Sequence, residues 1–481
     1  MARITKSRAV KGSASAASSR HSSGCRPAFP SDRLNSDMLV VANALMLAHV
    51  FFAVSRVLDL TAPGLHLPLL CGAGALVLAT LSGAIVRVVK SRIGIAFLLL
   101  TFCFFLSVPF SVWRTGSLDF FLNVWLKTLA LFVLVASLVD TRKHCSRLLA
   151  VLATGSIFVS AASLITFTGS ATRLKLDDTA LSDPNALGEI LLFGLPLCIM
   201  VVSDRTRLLV TRLIVAVCIL PITAAIALTG SRGTLVAALA VVAYLFKTSS
   251  IAGKITLPLL VLIIAMVGPI VLAPELLERY SGIAPTAAAG LESQESRVYL
   301  YKQALRLTIH NPIFGVGIGV FAFAENELAI AQGYVRGSWH TCHNMYLLVA
   351  SEAGVPAFII YMWILFRSWS ILGFLTRITS EQHPKANQIV RLSRWFKTAF
   401  LAHAVCGLFL SSGLGWIFAI LAGLSTSLQR IVLREIAQHE TEREVRKQEP
   451  ESVAHHQPIL HPPVDPITSI TNCPTIVPPL R

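Results

Sequence analysis

The chain has 481 residues, of which 54% are hydrophobic and only 14% charged, and it carries a net charge of +16. Its mean hydropathy is +0.69. An ordinary soluble domain carries about 25% charged residues, so this composition excludes a pair of soluble domains and places most of the chain in lipid. The positive charge does not sit on a basic helix interleaved with aromatic residues, and no reader motif accompanies it, so nucleic acid is not an expected partner.

The N-terminal segment, 1–36, is rich in Ser, Ala and Arg, with few large apolar side chains; it is expected to be a disordered basic cytoplasmic tail. The first apolar run, Met38 to Leu58, lacks a small-residue cleavage site and is expected to anchor rather than be removed. Apolar runs of about 20 residues, enough to cross ~30 Å of hydrocarbon, then recur along the chain. They fall at 37–58, 65–86, 93–112, 119–139, 146–167, 186–203, 208–228, 232–247, 255–273, 344–366, 397–413 and 415–433. The expected fold is therefore an all-α polytopic membrane protein of about twelve transmembrane helices, with one large helical loop, 274–343, between spans nine and ten. The alternating ten-residue pattern of an outer-membrane barrel does not occur. Lys127 falls inside the fourth span and must face protein or water.

Lys and Arg concentrate on alternate connections, as in Arg87, Lys90 and Arg92, then Arg142, Lys143 and Arg147, then Arg205, Arg207 and Arg212. The positive-inside rule puts these connections and both termini in the cytoplasm, and loop 274–343 on the far side. Residues 434–481 begin as a charged helix and become Pro- and His-rich; they are expected to be a second, largely disordered cytoplasmic tail. No paired halves of the kind seen in secondary transporters are evident. The nine cysteines are scattered without a CxxC pair, so no disulfide framework is expected.

The polar residues able to do chemistry collect on the non-cytoplasmic side. Thr229-Gly230-Ser231-Arg232-Gly233 separates two spans, and an Arg beside a helix N-terminus suits an anionic group, although an interfacial Arg reaching headgroups reads similarly. Arg297 opens an amphipathic stretch that ends near His310-Asn311-Pro312; Leu300, Ala304 and Leu305 would form one face, with Lys302 and Arg306 on the polar side. The bland alternative is a helix lying on the membrane. Gly315, Gly317 and Gly319 follow as a glycine turn without a nucleotide-binding context. His343 and Asn344 stand at the start of the next span, and a histidine there can act as a general base. His340, Cys342 and His343 fit no standard zinc spacing, so no metal is expected. Glu352 lies deeper in that span, as a functional candidate or a structural brace. Asp183-Pro184-Asn185 reads as an N-cap, with Arg173 nearby as a weaker anion ligand.

Ser231-Arg232-Gly233, the helix from Arg297 to His310-Asn311-Pro312, the three glycines, His343-Asn344-x-Tyr346 and Glu352-x-Gly354 together resemble the O-antigen ligase/polymerase family over about residues 180–370. This resemblance implies a bacterial inner-membrane glycosyltransferase that takes a glycan from undecaprenyl diphosphate at the periplasmic face. It implies a lipid A core or glycan acceptor, no cofactor and no metal. It also implies diphosphate binding by Arg232 and Arg297, catalysis by His343, and support from Ser231, Asn344, Glu352, Asp183 and Arg173. A polymerase of the same family, a transporter or flippase, and an intramembrane serine protease using Ser231 with His343 are the other readings.

Overall fold

The computed structural model describes residues 30–58, 64–167, 173–176, 179, 181–249, 254, 287–333, 340–378 and 380–448. The expected ninth span at 255–273 and loop residues 274–286 thus lie outside the described residues. Two units divide the chain, Met1–Leu433 and Arg434–Arg481. The second is described only over 434–448, which is helical.

Among the described residues every regular element is a helix. In chain order they are α1 (Pro30–Ser55), α2 (Leu67–Leu81), α3 (Val86–Val89), α4 (Arg92–Ser107), α5 (Arg114–Phe120), a π-helical turn (Phe121–Trp125) and α6 (Leu126–Leu138). Then come α7 (Arg142–Ile165), α8 (Pro184–Ser203), α9 (Leu209–Leu228), α10 (Arg232–Thr248), α11 (Ala287–His310), α12 (Phe321–Ala331), α13 (Met345–Leu375), α14 (Ala386–Cys406) and α15 (Trp416–Gln448). Seven helical stretches among these residues are long and apolar enough to cross a membrane: 35–55, 114–138, 142–165, 184–203, 209–228, 345–375 and 416–444. Leu67–Leu81 and Arg92–Ser107 are shorter apolar helices.

The bundle closes around an aromatic nucleus. Phe97 of α4 stacks on Phe132 of α6 at 4.0 Å between centroids, and on Trp125 and Phe418 at 5.4 and 5.2 Å. Tyr361 of α13 closes on Phe418 at 4.7 Å. These rings are fully buried. Aromatic pairs add about 0.5–1.5 kcal/mol each beyond area burial in water-soluble proteins.

One end of the bundle is held by ion pairs. Asp204, just after α8, meets Arg391 of α14 at 2.6 Å and Arg207 at 3.4 Å. Arg207 also donates to Ser146 of α7, Arg142 to Gln388 at 2.7 Å, and Arg430 to the carbonyls of Ala136 and Val139. Burial opposes ionisation of Asp204, but hydrogen bonds from Thr206 and the two guanidinium groups outweigh it and hold its carboxyl below the usual range.

Several boundaries differ from the sequence expectation, as where the runs 65–86 and 93–112 give the shorter helices Leu67–Leu81 and Arg92–Ser107. The connection expected at 367–396 is only 376–385, because α13 runs to Leu375 and α14 starts at Ala386. A hydropathy window ends where Gln388, Arg391 and Arg394 begin, whereas the helix carries them on its polar side. Correspondingly, α14 stops at Cys406 rather than 413, leaving residues 407–415 as a turn.

Candidate active site

The end of the bundle opposite Asp204 is built from helix termini. Between α9 and α10 the chain reverses at Gly230, whose φ of +59° is open to glycine at little steric cost. Ser231 then caps α10, its Oγ accepting from the Thr234 N–H at 3.3 Å and the Thr234 hydroxyl at 3.0 Å. Arg232 is therefore the first residue of α10, half-buried, where the positive end of the helix dipole reinforces its charge. Gly233 is needed for packing: a Cβ there would lie 2.8 Å from Cβ of Phe409.

Arg173 braces this hinge. It donates through Nε to the Thr229 carbonyl at 2.8 Å and through a terminal nitrogen to Asn185 Oδ1 at 3.0 Å. Asp183 caps α8, its carboxylate accepting from the backbone and side-chain N–H groups of Asn185, both at 2.9 Å. Two donors of Arg173 are thus committed to protein.

His343 sits in the left-handed region at φ +52°, unusual for a residue with a Cβ. Its backbone is held from both sides: the N–H donates to Ser411 Oγ at 2.9 Å, and the carbonyl accepts from the Tyr301 hydroxyl at 3.2 Å. That hydroxyl also reaches the Leu408 carbonyl at 3.1 Å. Asn344 caps α13, accepting from the N–H groups of Tyr346 and Leu347 at 3.0 Å, and donates to Leu408 O at 3.3 Å. Burial lowers the pKa of His343; Arg297 and His340 lower it further, against an opposing pull from Asp183. The imidazole thus lies within the field of Arg297, which stands one helical turn before Tyr301 on α11.

The inner side of α11 is formed by Leu300, Gln303, Ala304 and Leu307, all buried, and its apolar members pack on Val320, Phe321 and Cys342. Leu305, expected on this face, is 53% exposed, and Leu307 takes its place. The helix accordingly has a protein core of its own beyond any contact with lipid. Burial pushes the Cys342 thiol up to about 12, so it is protonated at neutral pH. Among the described residues no group of three His, Cys, Asp or Glu side chains is arranged to hold a metal ion.

The glycine turn meets a break in α13. At Gly354 (φ +80°, ψ 175°) the helical path is interrupted, and the loop supplies partners for the freed backbone. Val316 and Gly317 donate to the carbonyls of Ser351 and Glu352 at 2.9 Å, and Val355 donates to Pro312 O at 2.8 Å. A Cβ on Gly315 or Gly354 would overlap opposing backbone. The buried Glu352 carboxylate accepts from the Phe321 N–H at 3.1 Å, capping α12. This contact is what a structural brace, one of its two sequence readings, would make.

Sequence reading missed the turn 407–415. Its Ser411 holds His343, its Leu408 carbonyl holds Tyr301 and Asn344, and its Gly407 carbonyl accepts from Met345 N at 2.8 Å. Phe409 lies against Gly233. The Arg232 hinge and the His343 turn thus stand on one short loop, with α11 bringing Arg297 to His343. The signal was present as Gly407, Ser411-Ser412-Gly413 and Gly415, but it sits inside an apolar run. The buried Glu189 and His403, which meet Ser412 of this loop, were also unflagged. An arginine at a helix N-terminus, with a neutral-leaning histidine beside a second arginine, can hold an anionic leaving group and accept a proton.

No curated protein matches the chain. Residues 214–362 match the family model described as O-antigen ligase. The match begins within α9 and ends within α13, so it takes in Arg232, Arg297 and His343. Through this segment, 214–362, the chain is similar to the O-antigen ligase family.

Proposed function

We propose that the protein transfers a glycan from undecaprenyl diphosphate to an acceptor hydroxyl at the periplasmic face of a bacterial inner membrane. The observation that carries this reading is the shared footing of Arg232 and His343 on the 407–415 turn, with Arg297 acting on His343 from α11. In this reading the acceptor oxygen attacks the anomeric carbon of the donor sugar. The bond from that carbon to the phosphate oxygen breaks, and the electron pair leaves with the diphosphate. Arg232, Arg297 and the N-terminus of α10 meet the charge that grows there, an effect worth about 10²–10³ in rate per donor in other enzymes. Neutral His343 takes the acceptor proton and passes it to water. Ser231, Asn344, Asp183, Arg173 and Glu352 shape the site without touching the reacting atoms. No metal or other cofactor is required.

The proposed layout has about twelve spans over 37–433, a periplasmic loop at 274–343 and cytoplasmic tails at 1–36 and 434–481. The arginine-rich bundle end supports the orientation, since it lies opposite the candidate site. The favoured acceptor is lipid A core, as in a ligase; a lipid-linked repeat would make it a polymerase. Purified protein supplied with an undecaprenyl-diphosphate-linked glycan tests both. A single transfer to lipid A core marks a ligase, a ladder from lipid-linked repeats alone marks a polymerase, and no product from folded protein with either acceptor rejects the transferase.

A further inference from the structure

Beneath the 407–415 turn lies a polar cluster whose two titratable members are buried. Glu189, in the second turn of α8, is 2% exposed and His403 of α14 is 0% exposed. One carboxylate oxygen of Glu189 meets Nδ1 of His403 at 2.7 Å and accepts from Ser412 Oγ at 2.9 Å. A carboxylate at this depth is costly unless it is paired, and a fold retains such a group where it fixes a conformation. Here it fixes the turn. Ser412 is the neighbour of Ser411, which receives the His343 N–H, and Glu189 ties Ser412 simultaneously to α8 and to the last turns of α14. Gly413 is held on the other side by the Tyr361 hydroxyl at 3.1 Å, and Leu414 by Thr128 at 3.0 Å.

We propose that Glu189 is a positioning residue for His343, acting through Ser412 and Ser411. The left-handed backbone of His343 persists only where surrounding contacts over-determine it. Ser411 is one of two such contacts, and Ser411 keeps its place because the carboxylate beneath fastens the next residue. His403 completes the fastening, as it orients the shared oxygen and satisfies it. The inference rests on the proposed role of His343 as the base; the roles of Arg232 and Arg297 are independent of it.

The test compares Ser412→Ala, Ser412→Thr, Glu189→Gln and Glu189→Leu with wild type and His343→Ala. Ser412→Ala is expected to lower kcat roughly 10- to 100-fold, the scale of a small misplacement of a reacting group. The donor KM should stay within about two-fold, because the arginines are untouched. Ser412→Thr and Glu189→Gln, which keep the donor and the accepting oxygen, restore kcat. Glu189→Leu loses it; should that variant not fold, the Ser412 pair carries the comparison. A second readout needs no turnover: the rate of carbethoxylation of His343, located by peptide mass, rises in Ser412→Ala and stays at the wild-type value in Glu189→Gln. Equal kcat and equal His343 reactivity in wild type and Ser412→Ala overturn the inference. Full activity of His343→Ala would instead remove the base from the proposed function, with the reactivity comparison still deciding whether Glu189 positions that side chain.

Discussion

At His343 the backbone and the ring are governed by different neighbours. Ser411 and Tyr301 hold the main chain, while burial, Arg297, His340 and Asp183 set the proton affinity of the imidazole. The two can be separated by substitution. Asn tolerates the left-handed region better than most residues, so His343→Asn is expected to keep the wild-type melting temperature while losing about 10²–10⁴-fold in transfer rate. The pH profile is a second check. A general base must be unprotonated, and the lowered pKa places the acid limb of kcat/KM below the ordinary histidine value of about 6.5. Asp183→Asn removes an opposing negative charge and should move that limb lower still. Arg297→Gln removes a positive one and should move the limb of the residual activity upward. A limb that stays fixed in both variants would separate the titrating group from His343. Arg232→Ala, which leaves His343 untouched, should leave the limb in place and reduce the rate by about 10²–10³-fold.

Among the elements, those announced by local chemistry were legible and those announced only by packing were not. Gly230 and Ser231 mark a helix stop and start by backbone requirement and capping, and the α9–α10 hinge falls there. The helix ending at His310 was legible from its pattern and from Pro312, yet one member of its buried side was misassigned, Leu305 for Leu307. The 407–415 turn was hidden because Leu408, Phe409, Leu410 and Leu414 keep the local hydropathy high, so the glycines and serines read as part of a span. Glu189 was hidden because a single carboxylate in an apolar run names no partner until α8 and α14 are packed. Glu352 shows the converse: its sequence position left two readings, and its contact with the start of α12, which no sequence pattern announces, favours the structural one. Glu352→Ala is therefore expected to lower thermal stability, by about 0.5–2 kcal/mol if it acts as other helix caps do. Its loss of activity should track the loss of folded protein. Gly354→Ala should be more damaging, since a left-handed backbone costs on the order of 1–3 kcal/mol for a residue with a Cβ, before its overlap with Ile313. Thermal unfolding in a fixed detergent measures both.

For the whole molecule, composition alone sufficed for the helical membrane class, and seven described stretches meet the length and hydropathy of a span. The full count rests also on segments outside the described residues and on helices such as α2, α4 and α10, which are short for a crossing. Reporter fusions address the layout directly. A phosphatase active only in the periplasm should be active when fused after Val320, and a fluorescent protein that matures only in the cytoplasm should glow when fused after Arg481. The pairing of the glycine turn with the break in α13 has a mechanical consequence at this scale. Three backbone groups on each side are spliced as two strands would be, with no side chain able to wedge between them. The loop that joins α11 to α12 is thus soldered to α13 rather than hinged on it; under the proposed function, turnover would then need no clamshell stroke, and a lipid-linked donor would come and go by sliding sideways in the plane of the bilayer. Amide exchange at Val316, Gly317 and Val355 should then be as slow as in the central helices and unchanged when donor is added.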